Sequence, residues 1–258
     1  MAWQGSRVLI TGGSEGIGFE LAKILCNEGY EVTLLSRSQS KLDRAQRLIE
    51  SETKKEVDVI SCDVTEFDDV KKSLEAVEKG WDTVINSAGT SFPAYFTETS
   101  VESARKMMDL NYFGTFHVLK VLVPKMIERK SGYIVNFSSM AGFLGLFGYS
   151  AYCASKFAVV GLSEALDREL KPYGIEVSVV CPPGTQTPGF DAENKIKPKE
   201  VLDMEKTAKI LSAEDVAKSV YKQMRKQSRF INPSTDAKLA FHLNRLAPSL
   251  MEQFVKRR

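Results

Sequence analysis

Short β-branched runs separated by longer amphipathic stretches constrain this chain most, because a parallel sheet with crossover helices uses that alternation from end to end. RVLIT (7–11) leads into a helical pattern over 16–28, EVTLLS (31–36) into one over 40–52, and EVDVIS (56–61) into one over 66–79. TVINSAG (83–89) precedes two longer helical patterns from about 101 to 128, and YIVNFSS (133–139) precedes a helix over 150–171. IEVSVVCPPG (175–184) closes the series. The expected fold class is α/β: one doubly wound parallel sheet with helices on both faces, a single domain over 1–258. After Gly184 the pattern loosens. Residues 185–211 are polar, contain proline and show no clear period until a helix starting near Ser212, so they read as a substrate lid. Residues 234–258 are amphipathic with a basic end, which suits surface packing, a dimer contact or a membrane-surface patch.

Charge and composition exclude several classes of function. The 35 basic and 33 acidic side chains are interspersed, leaving a net charge of +2 and no electrostatic footprint for nucleic acid. Cys26, Cys62, Cys153 and Cys181 form no C-x-x-C pair, and Cys62 and Cys181 end apolar runs, so reduced thiols and a cytoplasmic setting are expected. The opening MAWQGSRVLITGG has no secretory-type apolar stretch, and nowhere do about 18 consecutive apolar residues occur, so no membrane span is expected. His117 and His242 are isolated on helical patterns and suggest no metal.

TGGSEGIG lies directly after the first strand and opens the first helix. Gly12, Ser14, Glu15, Gly16, Ile17 and Gly18 then form a phosphate-binding turn, where the backbone must bend sharply and approach a pyrophosphate closely while the helix N-terminus presents free N–H groups. With the strand before it and βαβ units behind it, the sheet is Rossmann-type and the ligand a dinucleotide. The second strand ends LLSRSQSK, without the carboxylate that would hold a free ribose 2′-hydroxyl. Arg37 and Lys41 could instead hold a 2′-phosphate, which favours NADP(H); the alternative is two solvated charges at a helix start. Asp63, next to Val64 after the third strand, could accept from the adenine amine or cap the following helix.

Tyr152 and Lys156 in YCASK stand one helical turn apart and share a face. A phenol is a poor acid at neutral pH, with a pKa near ~10, but a nearby cation lowers it toward general-acid use. The ordered set TGGSEGIG, NSAG (86–89), Asn111, Ser138–Ser139 and YCASK resembles the short-chain dehydrogenase/reductase family over roughly residues 5 to 230. That resemblance implies that Tyr152 donates a proton to a carbonyl oxygen, while Lys156 lowers the phenol's pKa and bonds the nicotinamide ribose. It implies that Ser139 holds the substrate oxygen and that Asn111 keeps a water in a relay through Lys156. Ser138 should face away, because neighbours along a strand alternate. By the same resemblance Asn86, Ala88 and Gly89 lie near the adenine ribose, with Ser87 a small departure. CPPGTQT departs further: Pro182 and Pro183 stand where Pro-Gly is usual, which stiffens the loop meeting the carboxamide. Thr185, by its backbone, and Thr187, by its hydroxyl, are the candidates for that contact.

Phe143, Leu144, Leu146, Phe147 and Tyr149 crowd the loop before Tyr152 and would line an alkyl groove or pack beneath the lid or at a subunit contact. The stretch from GLFGYSAYCASK through CPPGTQTPGFDAENKIKP is similar to the 3-ketodihydrosphingosine reductases. That implies hydride transfer from NADPH to the 3-keto carbon of a long-chain amino ketone. The helical patterns over 101–128 and 150–171 match the family's usual dimer faces, so a homodimer or homotetramer is expected, and the amphipathic C-terminal tail would allow peripheral membrane contact. Asp191 or Glu193 would accept the substrate amine, or would be solvated loop charges. The alternatives are a reductase of a β-ketoacyl thioester, steroid or other ketone, and a non-catalytic NADP(H) sensor.

Overall fold

The fold is that of a computed structural model, which describes residues 6–206 and 209–251. Residues 252–258 of the amphipathic tail and 207–208 of the expected lid lie outside the described residues. The strands are β1 (Arg7–Thr11), β2 (Glu31–Ser36), β3 (Val57–Ser61), β4 (Thr83–Asn86), β5 (Gly132–Phe137), β6 (Ile175–Val180), β7 (Thr185–Gln186), β8 (Leu211–Ser212) and β9 (Phe230–Ile231). The first half of the chain carries helices α1 (Gly16–Asn27), α2 (Gln39–Thr53), α3 (Phe67–Glu75), α4 (Val101–Met108) and α5 (Gly114–Glu128). The second half carries α6 (Ser150–Leu170), α7 (Pro188–Asn194), α8 (Lys199–Glu205), α9 (Ala213–Met224) and α10 (Thr235–Leu246).

The central sheet is parallel throughout, in the order β3-β2-β1-β4-β5-β6-β9, and β7 and β8 pair separately. Alternation along β1 explains the two layers. Val8 and Ile10 join a core with α1, α2 and α9, whereas Leu9 joins the opposite core with α3, α5 and α6. All three are fully buried, as a parallel sheet covered on both faces requires. The chain reverses its direction of travel across the sheet between β1 and β4, and a ligand crevice belongs there, at the strands' carboxyl ends.

Three strands stop short of the apolar runs that announced them. TVINSAG leaves the ladder after Asn86 because the Ser87 and Ala88 N–H groups turn to Thr11, one to its carbonyl at 3.2 Å and one to its hydroxyl at 3.2 Å. YIVNFSS ends at Phe137, and IEVSVVCPPG ends at Val180, shortly before two prolines that have no N–H to give. Residues 185–205 hold more regular structure than their sequence suggests. Thr187 caps α7 by accepting from Phe190 N–H, Pro188 opens that helix, and Pro198 precedes α8. Each helix has seven residues, too few to display a period of 3.6. Of α10, Ala237 and Phe241 are buried while Leu239 and Leu246 are exposed. No helix among the described residues is long and apolar enough to cross a membrane.

Candidate active site

A cleft of about 1100 Å³ runs along the carboxyl ends of β1, β2, β4, β5 and β6 and under α7. Its near end is the glycine turn. Gly12 has φ +67°, and a Cβ there would stand 2.8 Å from the backbone of Ala88; a Cβ on Gly18 would stand 2.7 Å from the Gly12 carbonyl. Glu15 precedes α1 without a side-chain cap, so the first N–H groups of that helix keep their donors for a ligand. A backbone cradle that any Cβ would fill, below an uncapped helix end, fits a pyrophosphate.

Arg37 and Lys41 stand at the rim beyond the tip of β2, both more than half exposed. Each already faces a carboxylate: Arg37 Nη1 lies 3.5 Å from Asp63 Oδ2, and Lys41 Nζ 2.7 Å from Glu15 Oε2. The Asp63 Oδ1 accepts from the Thr65 N–H and hydroxyl, so it shapes a turn ahead of α3 rather than capping it. Asn86 is internal, with its amide donating to Asn136 Oδ1 at 2.9 Å. Ser14, Ile17, Val64, Ala88, Gly89, Pro182, Thr185 and Thr187 line the cleft. Thr185 donates its hydroxyl to the Pro183 carbonyl, and the Thr187 oxygen is occupied as the α7 cap.

The far end brings together Ser139, Tyr152 and Lys156. Ser139 follows β5 and its hydroxyl lies beside the Tyr152 phenol, accepting from the Ala141 N–H at 3.2 Å. Ser138 points away and donates to the Lys156 carbonyl at 2.9 Å, fixing α6 against the strand. Lys156 Nζ donates to the Phe137 carbonyl at 3.0 Å and lies 5.8 Å from the centre of the Tyr152 ring. Burial brings this ammonium down to about 8. Burial also pushes the Tyr152 phenol up from its ordinary value, and the nearby Ser139 hydroxyl draws it partway back. The sequence suggested that Lys156 would acidify Tyr152. In this structure that amine is committed to a carbonyl, and Ser139 is the group that favours phenolate.

Asn111 occupies one turn of π-helix, Asp109–Phe113, between α4 and α5. It is fully enclosed: Oδ1 accepts from the Thr90 N–H at 2.8 Å, and Nδ2 donates to the Thr90 carbonyl and the Ser155 hydroxyl, each at 2.9 Å. Ser155 in turn donates to the Tyr152 carbonyl. Asn111 therefore ties the loop after β4 to the first turns of α6. Gly89 lets that loop pass close, since a Cβ there would meet Asn111 Oδ1 at 3.1 Å and Lys156 Nζ at 3.2 Å.

The apolar loop before α6 divides. Phe143 and Leu144 pack inward against α10, Phe143 edge-on to Phe241 at 5.2 Å, whereas Leu146 and Tyr149 face the cleft with Met140, Phe190 and Ile196. Above Tyr152, Tyr149 donates to Glu205 Oε1 at 3.1 Å and stands 3.5 Å from Glu193 Oε2. Lys197, its side chain fully buried, binds the other Glu205 oxygen at 2.7 Å. Asp191 is exposed and holds Gln186. Sequence reasoning missed Glu205, Lys197 and Ser91, because contacts that close only when α7 and α8 fold over the cleft leave no spacing to read.

Burial and the nearby Glu205 carboxylate hold Glu193 up to about 7, against 4.5 ordinarily. Between those values the folded protein keeps a proton the unfolded chain has released, so stability falls as pH rises through that window, and the full cost stands above about pH 7. Glu193→Gln removes that cost. The variant should be more stable than the parent at pH 8, by on the order of 1–2 kcal/mol, and match it at pH 4.5. Calorimetry at the two pH values checks this.

The short chain dehydrogenase family model matches residues 6–197. The 3-ketodihydrosphingosine reductase of Mus musculus is 40% identical over 229 residues, covering 86% of this chain and 69% of the mouse protein. The 3-dehydrosphinganine reductase of Danio rerio is 40% identical over 225 residues, covering 84% of this chain and 68% of its own. Among solved structures, a short-chain dehydrogenase from Sphingobium yanoikuyae in complex with NADPH superposes with a TM-score of 0.81 at 25% identity, covering 95% of each chain.

Proposed function

The chain belongs to the short chain dehydrogenase family, and on that premise we propose that it reduces the 3-keto group of a long-chain sphingoid base with NADPH. One observation carries this reading: the cleft that begins at the glycine turn ends on Ser139, Tyr152 and Lys156, beside apolar side chains. Bound NADPH supplies the hydride. Gly12, Gly16, Gly18 and the start of α1 hold its pyrophosphate, and Arg37 and Lys41 its 2′-phosphate. Tyr152, kept as neutral phenol by burial, passes its proton to the carbonyl oxygen as the carbon becomes tetrahedral. Ser139 steadies the charge developing on that oxygen, and Lys156 on the next turn of α6 balances the phenolate left behind. Asn111 holds the frame by tying the loop after β4 to α6. Leu146, Met140 and Ile196 offer a wall to the alkyl chain, where each buried methylene contributes about 0.8 kcal/mol.

Turnover of a long-chain 3-keto base, compared with a 3-ketoacyl thioester of equal length, tests this function. Preference for the thioester would overturn it. Arg37→Ala should lower the NADPH-over-NADH preference in kcat/KM roughly tenfold to a hundredfold, the loss of a charged hydrogen bond. Segment 185–211 acts as lid in this reading. A cytoplasmic setting is supported by four free, buried cysteines. A homo-oligomer is supported by Phe113 of the π-helical turn, Phe116 of α5 and Phe157 of α6, all exposed, and peripheral membrane contact by the exposed Leu239 and Leu246 of α10. Sedimentation and vesicle flotation test the last two.

A further inference from the structure

We infer that Glu193, supported by Glu205 and Tyr149, is the subsite for a protonated substrate amine, with Ser91 on the same cleft taking a neighbouring hydroxyl. This rests on the function proposed above and names what selects its substrate among long-chain ketones.

Hydrogen-bond accounting singles out Glu193. Both Glu205 oxygens are occupied, one by the Tyr149 hydroxyl at 3.1 Å and one by Lys197 at 2.7 Å. Lys197 is itself fixed, bonded also to Asn194 Oδ1 at 2.8 Å and lying 3.8 Å over the Phe190 ring. Tyr149 has one hydroxyl hydrogen, and Glu205 is the nearer acceptor, so Glu193 is left with a contact at the 3.5 Å limit. Two carboxylates thus share one lysine at this end; both line the cleft, and Glu193 is the less satisfied of them. An ammonium brings three donors and the missing charge. The exposed Asp191 is off the cleft wall and engaged by Gln186.

Ser91 provides an independent sign of a ligand. It lines the same cleft, is 8% exposed, and its hydroxyl has no hydrogen-bond partner among the described residues. A buried hydroxyl without a partner is costly unless a ligand supplies one. Its position in the chain puts it at the reacting end. Two residues before it, Gly89 borders Lys156 Nζ. Three residues after it, Ala94 N–H donates at 2.9 Å to the carbonyl of Gly148, the neighbour of Tyr149.

Glu193 faces Tyr149 and Glu205, Lys197 from the turn between α7 and α8, and Tyr152 and Lys156 from α6. With its pKa held up to about 7, it is largely protonated at pH 6.5, and an arriving ammonium would expel that proton. Binding can therefore be read without turnover. Calorimetry on the full-length protein with NADP+, at pH 6.5 in two buffers of different ionisation enthalpy, compares a long-chain 2-amino-1,3-diol with the same diol lacking the amine. The amine should bind at least tenfold more tightly and release protons. Glu193→Gln should abolish both differences, and Glu193→Asp, which keeps the charge, should restore part of the preference. Ser91→Ala should weaken the diol relative to its 1-deoxy analogue. An unaltered amine preference in Glu193→Gln, with the parent active on the 3-keto base, would overturn the subsite and leave the proposed function standing. A parent inactive on that base would overturn both.

Discussion

Replacing Tyr152 with phenylalanine should leave NADPH binding within about twofold of the parent and slow NADPH oxidation by roughly 10²–10⁴-fold, the range that a positioned proton donor contributes. The phenol is partly buried, lies beside Ser139, and is one turn from a lysine that binds a backbone carbonyl instead of the ring hydroxyl. Removing one oxygen takes away the proton and leaves the ring, the Ser139 hydroxyl and the cradle at the other end of the cleft in place. Dinucleotide fluorescence reads binding, and single-turnover oxidation reads the chemical step. Turnover near the parent's would show that another group protonates the oxygen, and the role given to Tyr152 would fall. A parent that binds dinucleotide but reduces no ketone would favour the sensor alternative.

Separation along the chain explains what the sequence could and could not reveal. The strands β1–β6 announce themselves as β-branched apolar runs, and the longer helices between them by period. β9 does not: Phe230 and Ile231 pair with Val179 and Val180 through two residues, and nothing in FINP distinguishes a strand from a turn. The same holds for α7 and α8, whose folding over the cleft brings Glu205 and Lys197 to within reach of Tyr149. The pair Tyr152 and Lys156 is visible as a spacing, but the bond partner of the lysine is not. Only the path of β5 past α6 brings the Phe137 carbonyl to its amine. Asn86 and Asp63 have partners that the sequence likewise does not show. Each stands beside residues that line the cleft, and each side chain turns to a neighbour in the protein instead.

Gly12→Ala should weaken NADPH binding at least a hundredfold and lower thermal stability together, because that glycine serves the nucleotide turn and the sheet at once. At φ +67° an L side chain is strained by roughly 1–3 kcal/mol. The added Cβ would also come within 2.8 Å of two backbone atoms of Ala88 and 3.0 Å of the Ser87 carbonyl carbon. Those atoms cannot rotate aside, as the N–H groups of both residues are bonded to Thr11. Overpacking of this kind costs a further 1–3 kcal/mol or so. The strain can be relieved only by parting the loops after β1 and β4, which widens the place where the pyrophosphate must meet the start of α1. Gly29 separates the two contributions. Its φ is +89°, and a Cβ there would meet nothing within 4 Å, so Gly29→Ala should carry the conformational strain alone and leave dinucleotide affinity unchanged. A Gly12→Ala protein that bound NADPH as the parent does would place the phosphates away from this turn.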